Sequence, residues 1–388
     1  MTKSFKNFQR LFLAVFVIIT TTRGQEIAVD MNSYVGQIDH IFDSYLGVDQ
    51  SYLSGSFSLA YQPSLNTRLY GSINRTEVLT NQDYSTGSME AGFQYRYLEL
   101  KNQQLFAGLI FSNAAYTPTY DYYEFSEISA YAEWKYFYHP QGSLKLGYNL
   151  QSRTYNEMPQ GSNAEHSLNA STNYSFNTGT SFKLHGWYAI QDFQAPPTTY
   201  TQGRHGVIIP TYEELNTNSL TGLNLRISQS VNKYMGLVIS GSSQYRINRT
   251  PSDFIILDQS TSPFIDRFRW DGNSGSGRVN LRLPGSFTIS GGAYFEQRNY
   301  LDVPIFEFDF DLGDYVQVDD EYIISDYNRT DNYSYYDIRL YRDWKLPFFN
   351  GFPMIGTSLT LGYKQNESDD PLYDYAGNTI SFGIHLTN

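Results

Sequence analysis

The sequence predicts an all-β chain that closes into an antiparallel transmembrane β-barrel of about 14–16 strands. Polar and apolar residues alternate with a period of two, short turns alternate with long polar loops, and aromatic residues are abundant. The 388 residues include 35 Tyr, 26 Phe and 4 Trp, yet the mean hydropathy is −0.44. Aromatic rings with polar tips are typical of membrane–water interfaces, whereas a large soluble core is built mainly from Leu, Ile and Val.

The alternation is clear from Ser51 to Tyr61, where Leu53, Phe57 and Leu59 share one face and serines occupy the other. Similar segments recur as far as the C-terminus. Each predicts a strand with one face towards lipid and one towards a lumen. The residues expected to face lipid are Leu225, Leu281, Leu361 and Ile384, and those expected to face inward are Arg226, Arg282, Lys364 and His385.

The connections between these segments fall into two classes. Short turns occur at 63–66, 139–142 and 283–286, and long polar loops include 192–218 and 299–332. Short periplasmic turns and long extracellular loops are typical of transmembrane barrels. A soluble secreted β-sandwich or propeller, the structural alternative, has no reason to sort its connections in this way.

The first residues have the order of a secretory signal peptide, which we assign to 1–24. Lys3, Lys6 and Arg10 precede an apolar stretch over 11–19 and small residues over 20–24. Residues 25–50 form an N-terminal segment with a candidate first strand near 34–42, and 51–388 form the predicted barrel. About 15 strands follow Ser51, so this candidate would give the even number that periplasmic termini require, with 14 strands as the alternative.

Charge and cysteine content exclude several function classes. The formal net charge is −12, and removal of the four basic residues of the signal peptide makes it −16. Such acidity argues against nucleic acid as a partner, because phosphate binding needs clustered Lys and Arg. The absence of cysteine excludes disulfides, a lipid-anchored cysteine and thiolate catalysis.

The C-terminal segment carries a resemblance to a known family. Ile380, Phe382 and Ile384 alternate with small or polar residues, and Tyr375-x-Gly377-x-x-Ile380-x-Phe382 is similar to the assembly signal of bacterial outer-membrane β-barrels. The chain departs from that signal in having Tyr375 at a normally polar position and in ending with Asn388. The architecture resembles this superfamily across nearly all of the mature chain. The resemblance implies an outer-membrane location, with outer-membrane lipid and the barrel-assembly machinery as partners; Gly377, Ile380 and Phe382 are the assembly-signal candidates.

No enzyme motif is present, and neither catalytic residues nor a cofactor are expected. The polar strand faces instead carry a set of residues that we interpret as lumen-lining. These candidates are Arg96, Lys145, Lys183, His185, Arg226, Arg278, Arg282, Arg298 and Arg339. Glu90, Glu133, Glu296, Asp337 and Asp343 share these faces. The wall is therefore either net basic or braced by arginine–carboxylate pairs.

A long loop is strongly acidic. Its carboxylates include Asp302, Glu307, Asp309, Asp311, Asp314, Asp319, Asp320 and Glu321. Such a loop is either simply solvated or able to collect Ca²⁺. Alternation of Phe306, Phe308 and Phe310 with acidic residues predicts a hairpin within it.

The expected function is a porin-like channel or passive transporter for small polar solutes, with a preference for anions if the basic residues line the pore. One alternative is a surface adhesion or interaction barrel that uses its long loops. The other is a lipid hydrolase embedded in the barrel wall.

Overall fold

The computed structural model describes residues 26–39, 49–98, 101–157, 162–193, 200–202, 207–209, 217–247, 267–300, 305–309, 314–318, 321–326, 328–345 and 354–387. Sixteen long strands in these ranges form one closed sheet. They are β1 Glu26–Ile38, β2 Gln50–Ser64, β3 Thr67–Val78, β4 Thr86–Tyr97, β5 Gln103–Tyr116, β6 Phe125–His139, β7 Gly142–Tyr155, β8 Asn163–Ser175, β9 Thr180–Phe193, β10 Asn218–Ser230, β11 Met235–Arg246, β12 Asp271–Leu283, β13 Phe287–Tyr300, β14 Arg329–Lys345, β15 Met354–Ser368 and β16 Tyr375–Thr387. In these ranges, no helix is long and apolar enough to cross a membrane. The predicted signal peptide lies outside the described residues.

Every barrel strand pairs antiparallel with its chain neighbours, and β1 pairs with β16 to close the sheet. Val35 lies opposite Leu53 of β2 on one side and Phe382 of β16 on the other. Closure leaves no strand edge open, which is the requirement for a sheet in lipid. The predicted closed antiparallel barrel is confirmed.

The first strand begins well before the expected position near 34–42. It runs from Glu26 to Ile38, so the barrel includes part of the 25–50 segment. Val29, Met31 and Val35 share its outward face with Ser33 and Gln37. These two polar residues weaken the alternation, which explains why the sequence pattern placed the strand imprecisely.

The pairing register separates the residues into two continuous faces around the barrel. One row of directly opposite residues runs through Arg278, Gly292, Asp337, Gly362 and Thr379. This polar face points inward, because Arg267, just before β12, reaches Glu165 of β8 across three intervening strands. Such a contact can only cross the mouth of the barrel.

The outward face is apolar and exposed around the whole circumference. Leu53, Phe111, Ile239, Ile338 and Leu361 are all 45% or more exposed. A monomeric soluble protein rarely exposes so large an apolar surface. The surface is therefore the lipid-facing belt of a membrane-spanning barrel.

The two ends of the barrel differ. One end has turns such as 65–66 and 140–141, and the other has long connections such as 194–217 and 301–328. Gly179 and Gly285 have φ of +78° and +79° at two of the tight turns, a conformation that glycine adopts without steric cost. Because the strand number is even, the start of β1 and the end of β16 both lie at the short-turn end, which is the periplasmic end in outer-membrane barrels.

The acidic loop holds short paired segments. Ile305–Phe306 pairs with Ile324–Asp326, Phe308–Asp309 with Asp314–Tyr315, and Gln317–Val318 with Glu321–Tyr322. Backbone hydrogen bonds join Glu307, Val316 and Ile323 in a cycle. The expected hairpin is thus a branched arrangement of three short pairs.

Candidate functional site

The candidate site is the inner wall of the barrel. All nine predicted lumen residues occupy the inward face of the register. They come from β4, β7, β9, β10, β12, β13 and β14, where alternate side chains of each strand point to the same side. The wall is a composite that only closure of the sheet can assemble.

Three of these basic residues form ion pairs with carboxylates on the same wall. Lys145 Nζ lies 2.5 Å from Glu133 Oε1. Arg298 Nε donates to Glu296 Oε2 at 2.7 Å. The third pair joins Arg278 and Asp337. Ion pairs therefore brace part of the interior, but they do not involve all of the basic residues.

The third ion pair connects β12 and β14. Arg278 Nη2 donates to Asp337 Oδ1 at 2.6 Å, and Arg278 Nη1 donates to Asp337 Oδ2 at 3.1 Å. The Asp337 side chain is only 3% exposed, whereas that of Arg278 is 41% exposed. The pair is bidentate, a geometry that fixes the guanidinium plane.

Other basic side chains have no carboxylate partner among the described residues. Lys183 and Arg226 lie directly opposite each other on β9 and β10. Arg96 donates to the Leu65 carbonyl at 3.0 Å, and Arg339 donates to Thr360 Oγ1 at 3.2 Å, both neutral oxygens. Arg282 belongs to the same group. These residues give the wall uncompensated positive charge.

The charge balance of the inward face follows from the register. Its described side chains include fourteen basic residues and nine carboxylates, an excess of five positive charges. The basic residues are Arg68, Arg96, Lys135, Lys145, Arg153, Lys183, Arg226, Arg246, Arg278, Arg282, Arg298, Arg329, Arg339 and Lys364. The carboxylates are Asp30, Glu90, Glu127, Glu133, Glu165, Glu296, Asp331, Asp337 and Asp343. The wall is thus net basic in a chain of net charge −12.

A closed sixteen-strand sheet with an apolar outer face and a polar inner face decides the architecture. The fold is that of a membrane-spanning β-barrel of sixteen strands.

Comparisons with known proteins give similarities of structure and none of sequence. No protein-family model and no curated protein matches the chain. Among solved structures it is similar to OccK8 (OprE) of Pseudomonas aeruginosa, with 10% identity, a TM-score of 0.49 and coverage of 94% of this chain and 98% of that one. It is also similar to OpdK of Pseudomonas aeruginosa, solved with vanillate, with 8% identity, a TM-score of 0.46 and coverage of 94% of this chain and 98% of that one. A third similar structure is a bacterial polysaccharide outer-membrane secretin, with 10% identity, a TM-score of 0.46 and coverage of 93% of this chain and 98% of that one.

Aromatic rings on the inner wall are a feature that the sequence interpretation missed. The ring of Tyr70 lies over Gly92, which is directly opposite on the neighbouring strand, and the ring of Trp187 lies over Gly222 in the same way. A Cβ at Gly222 would overlap Trp187 Cζ2. Such rings are accommodated on the wall because the opposite residue has no side chain. An aromatic residue in the polar phase of one strand, facing a glycine in the next, is the signal that could have revealed them.

The mouth of the barrel is narrowed by the residues that precede β12. Phe268 is 3% exposed and packs with Ala189 and Leu220, both fully buried. Gln244 Nε2 donates to the carbonyls of Arg267 and Trp270, at 3.1 Å each. This segment is therefore anchored to the inside of the wall.

A second cluster fills the mouth beside β14. Arg329 stacks on Tyr373 and Tyr300, at 3.2 and 4.5 Å from their ring centroids, and pairs with Asp331 at 2.5 Å. Burial raises the pKa of the nearby Asp370 carboxyl above its usual range, against the opposing effect of Arg329. The cluster holds the 369–374 loop against the inner wall.

The remaining predicted residues belong to the assembly signal and to the acidic loop. Ile380 and Phe382 are outward-facing and about half exposed, and Gly377 lies opposite Lys364 near the start of β16. In the acidic loop, Glu307 is exposed and Asp309 half-buried. Asp302, Asp311, Asp319 and Asp320 lie outside the described residues, as do the side chains of Asp314 and Glu321. Within the described part, no group of three His, Asp or Glu residues could hold a metal, and Ca²⁺ binding stays a prediction.

Proposed function

We propose that this barrel is a channel for the passive passage of small polar solutes, and that it favours anions. The observation that carries the proposal is the continuous polar inner face with its excess of basic side chains. A wall of Ser, Asn, Lys and Arg supports a hydrated interior, because unhydrated polar groups carry a large free-energy penalty.

Location of charge matters more than net charge for a permeating ion. The acidic loop lies outside the strands, where its field is screened beyond roughly 8 Å at physiological salt. Lys183 and Arg226 are neighbours on the wall, where an ion passes close to both. Basic side chains along a pore select anions, as acidic rings select cations.

The test is the reversal potential of the purified protein in planar bilayers under a KCl gradient. The wild type should conduct and favour chloride, and Lys183→Gln combined with Arg226→Gln should shift the potential towards potassium. Lys233→Gln is the matched control, since Lys233 lies in a short turn against Tyr234, 4.8 Å from its ring centroid, and should cause no shift. Absence of conductance would refute the channel, and cation selectivity of the wild type would refute the basic filter.

A role in surface interaction is the second candidate, favoured by the branched β structure of the acidic loop. Val318 is 56% and Ile324 41% exposed there, which presents apolar side chains on an ordered projection. Deletion of 305–326 should abolish cell-surface binding while leaving bilayer conductance intact if this candidate is correct. Loss of conductance without loss of binding would contradict it.

A further inference from the structure

An arginine near the short-turn end of β14 faces outward instead of into the lumen. Arg342 of β14 lies opposite Phe287 and Thr357, and all three belong to the outward face. Phe287 is the first residue of β13, directly after the turn Pro284–Ser286. Arg342 therefore lies at the periplasmic boundary of the apolar belt. Among the described outward positions in the half of each strand next to the short turns, it is the only charged residue.

Two aromatic rings hold the guanidinium of Arg342. Its Cζ lies 3.7 Å from the ring centroid of Trp344 and 4.4 Å from that of Phe287. Trp344 Nε1 donates to Thr357 Oγ1 at 3.0 Å, which fixes the indole. Stacking of this kind uses the faces of the guanidinium and leaves N–H groups along its edge for other partners.

The described residues supply no counter-ion for the charge of Arg342. No carboxylate among the described residues forms an ion pair with it, and its Nε is buried without a hydrogen bond. The adjacent Asp343 belongs to the inner face, where it accepts a hydrogen bond from Tyr341. A cation at this depth needs an anion that the surroundings supply.

The anion available at that level of a bilayer is the phosphate of a phospholipid. A guanidinium matches phosphate oxygens in a bidentate geometry, and aromatic side chains beside it contact the lipid at the headgroup level. We propose that Arg342, Phe287 and Trp344 form a binding site for the phosphate of a glycerophospholipid in the periplasmic leaflet.

Native mass spectrometry of the detergent-purified protein, titrated with phosphatidylglycerol, tests the site. Arg342→Gln should weaken binding of one lipid by roughly tenfold or more, the effect expected for loss of a charge-assisted hydrogen bond. Arg342→Lys should weaken it less, because the ammonium keeps the charge but lacks the fork. Arg282→Gln is the matched control, since it removes an arginine at the same end from the inner face, and should bind like the wild type.

Two further probes distinguish binding of the lipid phosphate from binding of the acyl chains and from binding of a free anion. Diacylglycerol with the same acyl chains should bind the wild type and Arg342→Gln equally, and millimolar inorganic phosphate should not displace the phospholipid. Equal phosphatidylglycerol binding by wild type and Arg342→Gln would overturn the proposal, as would an equal loss in Arg282→Gln. Displacement by inorganic phosphate would indicate a free-anion site and would also overturn it. Heat modifiability on gels establishes that each variant is folded, and Arg342→Lys keeps the test decisive if Arg342→Gln does not fold.

Discussion

Two adjacent residues in the middle of β10 allow a direct test of the assignment of faces. Leu223 is outward-facing and 51% exposed, whereas Asn224 lies on the inner wall opposite His185. Replacing either residue by arginine adds the same side chain at nearly the same depth. Only the medium that receives the charge differs between Leu223→Arg and Asn224→Arg.

The expected magnitudes are well separated. Arginine on the lipid face near the bilayer midplane costs about 2–4 kcal/mol, or roughly 30- to 700-fold in the ratio of folded to unfolded protein. At Asn224 the new charge meets Arg226 two residues away in a hydrated wall, where repulsion costs about 1 kcal/mol or less. Leu223→Arg should therefore be the far more destabilising change.

The measurement is equilibrium unfolding by guanidinium chloride in lipid vesicles, followed by tryptophan fluorescence and by heat modifiability. Both variants must first insert into the vesicles, which protease protection establishes. Equal free energies of unfolding for the two variants, or greater loss in Asn224→Arg, would refute the assignment of lipid and lumen faces.

Three other outcomes follow from the structure. Deletion of 378–388 removes most of the strand that pairs with both β15 and β1, so periplasmic degradation should replace heat-modifiable barrel in immunoblots of membrane fractions. Gly222→Ala should destabilise by about 1–3 kcal/mol in the same unfolding assay because its Cβ overlaps a tryptophan ring, whereas Gly277→Ala, with open space around it, should not. Asp337→Asn should release Arg278 from its ion pair and increase chloride preference in the reversal potential; an unchanged potential would contradict a contribution of this arginine to the filter.

Strand faces could be predicted from the sequence because a period of two is a local property. Leu225 with Arg226, and Leu361 with Lys364, occupy opposite faces as the alternation indicates. The same alternation says nothing about depth. Leu281 and Arg282 lie within the last three residues of β12, so arginine at 281 would be near the bilayer interface, where the cost is only about 0–1 kcal/mol. The large destabilisation by a midplane arginine is therefore expected at position 223 and not at position 281.

Partnerships across the barrel could not be predicted, because they depend on closure. Glu165 and Arg267 are 102 residues apart in sequence and meet only where β8 and the segment before β12 face the same mouth. Opposite glycines and aromatic rings likewise depend on the register between strands, which the alternation within one strand does not specify.

Arg342 illustrates the limit of the alternation itself. In the run Tyr341, Arg342, Asp343, Trp344, aromatic and charged residues occur on both faces, so polarity alone gives no phase. The phase comes from Ile338 and Leu340 upstream, which are outward-facing and exposed, and it places Arg342 on the lipid side. Arg282 and Arg342 lie near the same end of the barrel, yet one faces a hydrated wall and the other faces lipid. The first can be solvated by water, whereas the second needs an anion at the interface, and the paired variants at these two positions measure that difference.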